Sequence, residues 1–348
     1  MANRILQPLS AGFRLGVALR SAAYQRGWFK TQRLGRPVVS VGNLTLGGSG
    51  KTPLVAFIAK TLLKRGWRPG ILTRGYGRRC GSELVALEPR PCRVADAHQV
   101  GDEPALLAKL LPEVPIVVCA DRYRAGRLAE ETFHVDAHIL DDGFQHLALA
   151  RDLDIVALDV TQEFSDRALL PAGRLREPCA ALARAHLVVL TRVDLRGPEP
   201  LKHQVERLNP RARIFRSGTK LCGLVDVETG RVLTPEVLRG GPVFAFCGLG
   251  NPGAFFADLR RWGFTVVAEN AFPDHYAYTE ADLERLSRRA RQAGATALLT
   301  TEKDAVNFPS LWESEPPILA CVIQAEIAEA EEFEQALQEG LEAAQKVG

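Results

Sequence analysis

The chain has 348 residues, 46% hydrophobic and 24% charged, with a formal net charge of +3. That length and balance suit a globular protein of about two domains. The seven cysteines are scattered and form no CxxC pair, which argues against a disulfide framework or a zinc site and suits a reducing cytoplasm. No apolar run reaches the roughly 18 residues that argue for a spanning helix, and Arg14 and Arg20 interrupt the apolar core that a signal peptide requires.

The charge is unevenly spread. Residues 1–82 hold 15 Lys/Arg and no Asp or Glu; the first acid is Glu83. A basic region of this kind suits a polyanionic partner: nucleic acid, anionic lipid or a phosphorylated substrate. Within residues 1–36, Ile5, Leu9, Phe13, Val17 and Tyr24 recur near the helical period. Arg4, Arg14, Arg20, Arg26 and Lys30 take other positions, and Trp28 and Phe29 close the segment. Two readings fit: an interfacial helix on an anionic membrane, or an amphipathic helix packed on the protein's own core.

Residues 37–53 read PVVSVGNLTLGGSGKTP. An apolar run (Val38, Val39, Val41) enters a glycine loop that closes on Gly50-Lys51-Thr52, and a helical pattern follows (Leu54, Val55, Phe57, Ile58, Leu62, Leu63). Strand, glycine loop and helix in that order form the context of a phosphate-binding P-loop. Glycines let backbone N–H groups converge on a triphosphate, and the helix N-terminus adds its positive dipole end. Lys51 reaches the β- and γ-phosphates and the Thr52 hydroxyl suits Mg²⁺. Thr45 stands where the usual spacing has glycine, with extra glycines at Gly47 and Gly48. The nucleotide-binding candidates are Thr45, Leu46, Gly47, Gly48, Ser49, Gly50, Lys51 and Thr52.

From 37 to 220, strand candidates at 38–41, 70–73, 116–119, 137–140, 155–158 and 187–190 alternate with helical stretches. Several are continuously apolar and β-branched, as buried parallel strands are. Residues 221–242 read as a hairpin linker, with a turn at Glu228-Thr229-Gly230 and a break at Gly240-Gly241-Pro242. Residues 243–348 form a smaller α/β unit, with strands at 243–247, 265–268, 297–300 and 318–322 and an acidic helical end. The fold class is α/β: a P-loop doubly wound, mostly parallel sheet, with a second, smaller α/β domain joined by a β-hairpin linker.

Several polar motifs sit at strand ends. Asp141-Asp142-Gly143-Phe144-Gln145-His146 follows an apolar strand, the Walker B position, and paired carboxylates suit a hard cation. Asp102 in Gly101-Asp102-Glu103-Pro104 lies at or beside a helix N-terminus, where a capping role also fits. His275 and Tyr276, in Phe272-Pro273-Asp274-His275-Tyr276, fall on a loop. Thr300-Thr301-Glu302-Lys303-Asp304 ends another strand, where sheet ligands bind. Arg174, Arg176 and Glu177 on a Pro/Gly loop, and Arg122 after a strand, offer guanidinium groups for phosphate. Thr191-Arg192-Val193-Asp194 is placed like the guanine-reading segment of GTPases, but Thr191 replaces the required Asn.

Taken together and in order, these motifs resemble the tetraacyldisaccharide 4′-kinase family of lipid A biosynthesis: VGNLTLGGSGKTP (41–53), TRGYGR (73–78), GDEP (101–104), DDGFQH (141–146), LPAGRLREP (170–178), FPDHY (272–276) and TEKD (301–304). The resemblance spans residues 37–307; the family's usual Pro is replaced by Arg174. It implies transfer of the ATP γ-phosphate to the 4′-hydroxyl of a tetraacylated glucosamine disaccharide 1-phosphate, giving lipid IVA. It also implies a peripheral protein on the cytoplasmic face of the inner membrane, docked on anionic lipid by residues 1–36, with no nucleic-acid partner. In this mapping Lys51 and the loop amides hold ATP, and Thr52 with Asp141 or Asp142 holds Mg²⁺. Asp102 accepts the hydroxyl proton, tuned by His275, and Arg122, Arg176 and Glu177 organise phosphates and metal. Asp102, His275, Lys51, Asp142 and Arg176 are thus the catalytic candidates, and Thr52, Asp141, Asp142 and Glu177 the metal candidates. The alternatives are a P-loop GTPase or metallochaperone switch, and a nucleic-acid-dependent ATPase.

Overall fold

The computed structural model describes residues 6–347 except 77, 79–82, 91–95, 163–167, 239 and 310–313. Arg4, Ile5, Gly77, Cys80 and Cys92, which entered the sequence reading, lie outside the described residues. In chain order the elements are α1 (Gln7–Gln25), β1 (Val38–Gly42), α2 (Lys51–Lys64), β2 (Pro69–Thr73), β3 (Leu84–Leu87), α3 (Ala97–Val100), α4 (Asp102–Leu110), β4 (Ile116–Cys119), α5 (Arg122–Phe133), β5 (Ala137–Asp141) and β6 (Leu153–Asp159). There follow β7 (Leu187–Thr191), α6 (Glu199–Leu208), β8 (Arg213–Asp226), β9 (Val232–Leu233), β10 (Pro242–Cys247), α7 (Pro252–Arg261), β11 (Thr265–Ala271), α8 (Glu280–Gln292), β12 (Ala297–Thr301), α9 (Glu302–Ala305), β13 (Ile318–Ile327) and α10 (Ala330–Val347).

The central strands are apolar at almost every position because both faces are covered. In β1, Val39 and Val41 share a core with Ile58 and Leu62 of α2, while Val38 faces the opposite way, toward Ala125 and Ala129 of α5. In β4, Ile116 and Val118 take the first face, Val117 and Cys119 the second. This alternation is the period of two of an extended chain.

The described strands form one sheet in the order β11-β10-β12-β13-β8-β7-β6-β1-β5-β2-β4-β3, with β9 beside β8. From β8 to β4 neighbours run parallel. From β11 to β13 they also run parallel. The two runs meet antiparallel at β8 and β13, with Ile327 opposite Ser217 and Leu319 opposite Asp226. The strands of the second half therefore point back at those of the first. Their C-terminal ends face one shared cleft, the place where open α/β sheets bind ligands.

Two features differ from the expected organisation. β8 runs unbroken from the first half into the residues read as a linker, so the halves share a sheet and the hairpin to β9 lies beside it. The chain's last helix, expected with the smaller unit, returns to the larger one. Phe333 of α10 is fully buried, edge-on to Phe57 at 5.9 Å and to Phe215 at 5.1 Å.

Candidate active site

Gly50 begins α2 from the left-handed region (φ 77°), no described side chain caps the helix, and its first turn carries no acid. The first amides of α2 are thus left open to an anion. The loop before them is braced from β7. Thr191 Oγ1 donates to the Ser49 carbonyl at 3.0 Å, and Arg192 Nη1 donates to the Gly48 carbonyl at 2.8 Å while pairing with Asp159. Asn251 Nδ2, from the second half, donates to the same Asp159 at 2.9 Å. Gly47, at φ 106°, lies so close to Arg174 and Gly250 that an added Cβ would collide with the guanidinium. Arg174 Nη2 donates to the carbonyls of Leu46 and Gly250, both at 3.0 Å, tying the loop to the second half.

Beside the loop, β5 ends on two carboxylates of different character. Asp142 has a left-handed backbone (φ 50°), uncommon for a residue with a side chain. It meets Lys51 Nζ at 3.3 Å and Arg176 Nη1 at 2.7 Å. Burial alone would raise its pKa, but Lys51 and Arg176 outweigh burial and hold it at about 2. Asp141 is buried and accepts a hydrogen bond from Thr73 Oγ1 at 3.1 Å. Burial, together with the charges of Glu103 and Asp142, pushes it up to about 7. A buried acid crowded by negative charge is a position a divalent cation fits, and among the described residues no ammonium or guanidinium pairs with Asp141 as Lys51 and Arg176 pair with Asp142. Among the described residues no group of three or more His, Cys, Asp or Glu forms a ready-made metal cage. A cation held by few protein ligands and by phosphates needs none.

Across the cleft, His275 Nδ1 meets Asp102 Oδ2 at 2.8 Å. Asp102 opens α4 and its Oδ1 accepts the Glu103 amide at 2.9 Å. His275 sits at φ 60° on the loop after β11. Lys303 Nζ lies 3.8 Å from Asp102, 3.4 Å from Glu103 and 3.4 Å from Asp274. Burial works against ionised Asp102, yet His275 and Lys303 bring its pKa below the ordinary value; the Asp102 hydrogen bond in turn raises His275.

These groups surround a cleft of about 770 Å³. Leu46, Gly47, Gly48, Ser49, Gly50, Lys51 and Thr52 line it, as do Asp141, Asp142, Arg176 and His275. Four expected residues do not line it. Asp102 stands one layer back, behind His275. Thr45 bridges to Leu175 on the neighbouring loop. Arg122 is buried and donates to the carbonyls of Cys119 and Ala120. Glu177 is buried against Arg184 Nη2 at 2.6 Å, and that guanidinium lies 4.5 Å from the Phe144 ring centre. Glu177 therefore pairs with the guanidinium that stacks on Phe144. Sequence reasoning missed the loop braces Arg192, Asp159 and Asn251, and it left Lys303 without a role. The only local signal for any of them was position at a strand end.

The family model for tetraacyldisaccharide-1-P 4′-kinase, LpxK, matches residues 2–342. The chain belongs to this kinase family. It is 41% identical over 333 residues to the tetraacyldisaccharide 4′-kinase of Koribacter versatilis, covering 94% of this chain and 95% of that one. With the Geobacter metallireducens tetraacyldisaccharide 4′-kinase it shares 40% identity over 334 residues, 96% of each chain. Among solved structures, LpxK from Aquifex aeolicus in complex with ATP matches with a TM-score of 0.76 at 31% identity, over 98% of this chain and 100% of that one. The kinase architecture thus extends over both halves of the sheet. Family membership sets aside the GTPase or metallochaperone switch suggested by Thr191–Asp194.

Proposed function

We infer that the chain is an ATP-dependent kinase that phosphorylates the 4′-hydroxyl of a tetraacylated glucosamine disaccharide 1-phosphate to give lipid IVA. Family membership over nearly the whole length supports the activity. The observation that carries the site assignment is the meeting of His275 and Asp102 opposite Lys51 and Asp142. Residues 47–52 and Lys51 cradle the triphosphate. The hydroxyl proton passes to the Asp102–His275 pair as a unit, with His275 facing the cleft and Asp102 holding it from behind. The sugar oxygen forms its bond to the γ-phosphorus as the bond to ADP breaks. The transition state is loose, so most of the acceleration comes from positioning and from charge neutralisation by Lys51 and Arg176.

Thr52 and Asp141 are the residues that would hold Mg²⁺, with Asp142 beside them. When bound, the cation neutralises charge on the phosphates. Asp142 is already matched by Lys51 and Arg176, which leaves Asp141 as the better first contact.

No described helix is long and apolar enough to cross a membrane. Instead α1 exposes Leu9, Leu15 and Leu19, each 61% exposed, and Trp28 and Phe29 follow it in the open. Its described hydrogen bonds to the body include Ser10 to the Leu169 carbonyl and Arg20 to the Gln145 carbonyl. A lipid whose chains cost about 0.8 kcal/mol per CH₂ to remove from a bilayer must be met at the surface. The exposed leucines of α1 and the acid-free, basic sequence of residues 1–82 support peripheral docking on an anionic leaflet, the cytoplasmic face of the inner membrane.

Incubation of the protein with ATP, Mg²⁺ and tetraacyldisaccharide 1-phosphate in micelles, read by mass spectrometry, tests the assignment. One added phosphate, located at the 4′ position and absent with Lys51→Ala, is expected. ATP hydrolysis with no phosphorylated lipid would overturn it.

A further inference from the structure

Thr191-Arg192-Val193-Asp194 ends β7 where a GTPase carries its base-reading segment, yet the kinase chemistry uses none of its carboxylate. From the P-loop the cleft continues over Arg192, Gly218 and Thr219 to Phe255, Asp258 and Trp262. A nucleotide whose phosphates lie on residues 47–52 directs its base along this path. Asp194 lies behind Gly218 and Thr219, outside the cleft lining, and its Oδ2 is occupied. Arg261 Nη2 lies 2.7 Å from Asp194 Oδ2, and the Thr219 amide donates to the same oxygen at 2.9 Å. The same guanidinium holds Asp258 Oδ1 at 2.9 Å and donates to the Thr219 carbonyl. The Gly218 backbone passes so close that a Cβ there would sit 3.1 Å from Asp194 Oδ2.

Guanine presents two adjacent donors, N1–H and its 2-amino group, which a free carboxylate accepts as a pair. Adenine presents an acceptor at N1 and gains nothing from that carboxylate. We propose that Arg261 sets the choice of nucleobase. By holding Asp194 Oδ2, it takes up an acceptor that guanine needs, at the strand end where GTPases read guanine and where Thr191 already stands in place of their Asn. The Asp194 side chain is 20% exposed, so loss of the guanidinium would open it to a base. Arg261 is a specificity residue of the second half acting through a carboxylate of the first. This rests on the reading of residues 47–52 as the triphosphate cradle.

The test is competition of ATP, GTP and ITP against a fluorescent ATP analogue on the full-length protein, without lipid. ITP lacks the 2-amino group, so the GTP-to-ITP ratio reports a carboxylate at the guanine edge and does not move with general damage. In the wild type GTP and ITP are expected to bind equally and more weakly than ATP. In Arg261→Gln, GTP should gain roughly tenfold or more over ITP, the scale of one bidentate base contact. Arg261→Gln with Asp194→Asn should lose that gain. A folded, ATP-binding Arg261→Gln with an unchanged GTP-to-ITP ratio would overturn the proposal. So would a wild type that already prefers GTP to ITP tenfold, an arm that needs no variant to fold. Failure of the wild type to bind ATP at all would instead overturn the cradle reading.

Discussion

His275 Nδ1 and Asp102 Oδ2 stand 2.8 Å apart although 173 positions separate them in sequence. One comes from the start of α4 in the first half of the sheet, the other from the loop after β11 in the second. The antiparallel join of β8 and β13 makes the meeting possible, because it turns the strand ends of one half toward those of the other. A site assembled this way makes the Asp102–His275 contact depend on the relative placement of the halves.

The pair should leave a pH signature in activity. As a base it must be free of its proton, with Asp102 ionised and His275 neutral. Asp102 raises the pKa of His275 above its ordinary 6.5, so kcat should rise with pH along a limb centred above 6.5. In Asp102→Asn the hydrogen-bonded charge is gone and the limb should move to lower pH. A kcat profile across the neutral range checks this; an unmoved limb would count against the pair.

His275 should show the opposite trend in stability. His275 has a raised pKa in the folded protein, so its contribution is full below 6.5 and fades as pH rises through the folded value. Asp102 has a lowered pKa, so its contribution is present above 3.8 and fades as pH falls through the folded value. The Tm advantage of wild type over His275→Gln should therefore shrink from mildly acidic to alkaline pH. Thermal melts of the two proteins at matched pH values measure it.

Lys303 is the cation between Asp102, Glu103 and Asp274, with its own side chain 16% exposed. In Lys303→Met three carboxylates would lose their shared ammonium, leaving only His275 beside Asp102 and Asp274. The expected cost is roughly 1–3 kcal/mol, below that of a fully buried pair because Glu103 and Asp274 keep partial access to water. Urea unfolding should show it as a lower midpoint, with the largest loss at pH values where all three acids are ionised.

The elements that could be read from sequence share a physical reason. β1, β4 and β7 are covered on both faces and so are nearly unbroken apolar runs. The P-loop is local, since strand, glycines and Lys51-Thr52 lie within one short stretch. The first part of β8 was not legible because Arg213, Arg216 and Ser217 interrupt its apolar pattern. The destination of α10 was not legible because a helix's own pattern reveals an apolar face but not its partner, here Phe57 and Phe215. Arg192, Asp159 and Lys303 are ordinary charged residues until tertiary contacts supply the loop carbonyl, the asparagine or the carboxylates that give them work. Asp102 and His275 stood out only as polar motifs and took their roles from a family resemblance; their contact needed the fold.

Docking through α1 makes a separate prediction. Leu15 and Leu19 are each 61% exposed, so Leu15→Glu with Leu19→Glu should leave the unfolding free energy within about 0.5 kcal/mol of wild type. Binding to vesicles rich in anionic lipid should fall sharply, as buried apolar area is lost and like charge faces the surface. Co-sedimentation with vesicles, run beside a thermal melt, separates the two effects. Equal sedimentation of wild type and variant would remove α1 from the docking surface.

The central claim is that Asp102 and His275 act together on the sugar hydroxyl in a cleft shared by both halves. The most direct test is kcat for transfer of ³²P from γ-labelled ATP to tetraacyldisaccharide 1-phosphate, in wild type, Asp102→Asn, His275→Gln and the double variant. Each single variant should lose roughly 10²–10⁴ in kcat, the scale of a positioned acid–base group, with ATP affinity retained. The double variant should be little worse than the poorer single one, as expected of residues that act as a unit. Wild-type kcat in either single variant, with labelled lipid still formed, would contradict the account.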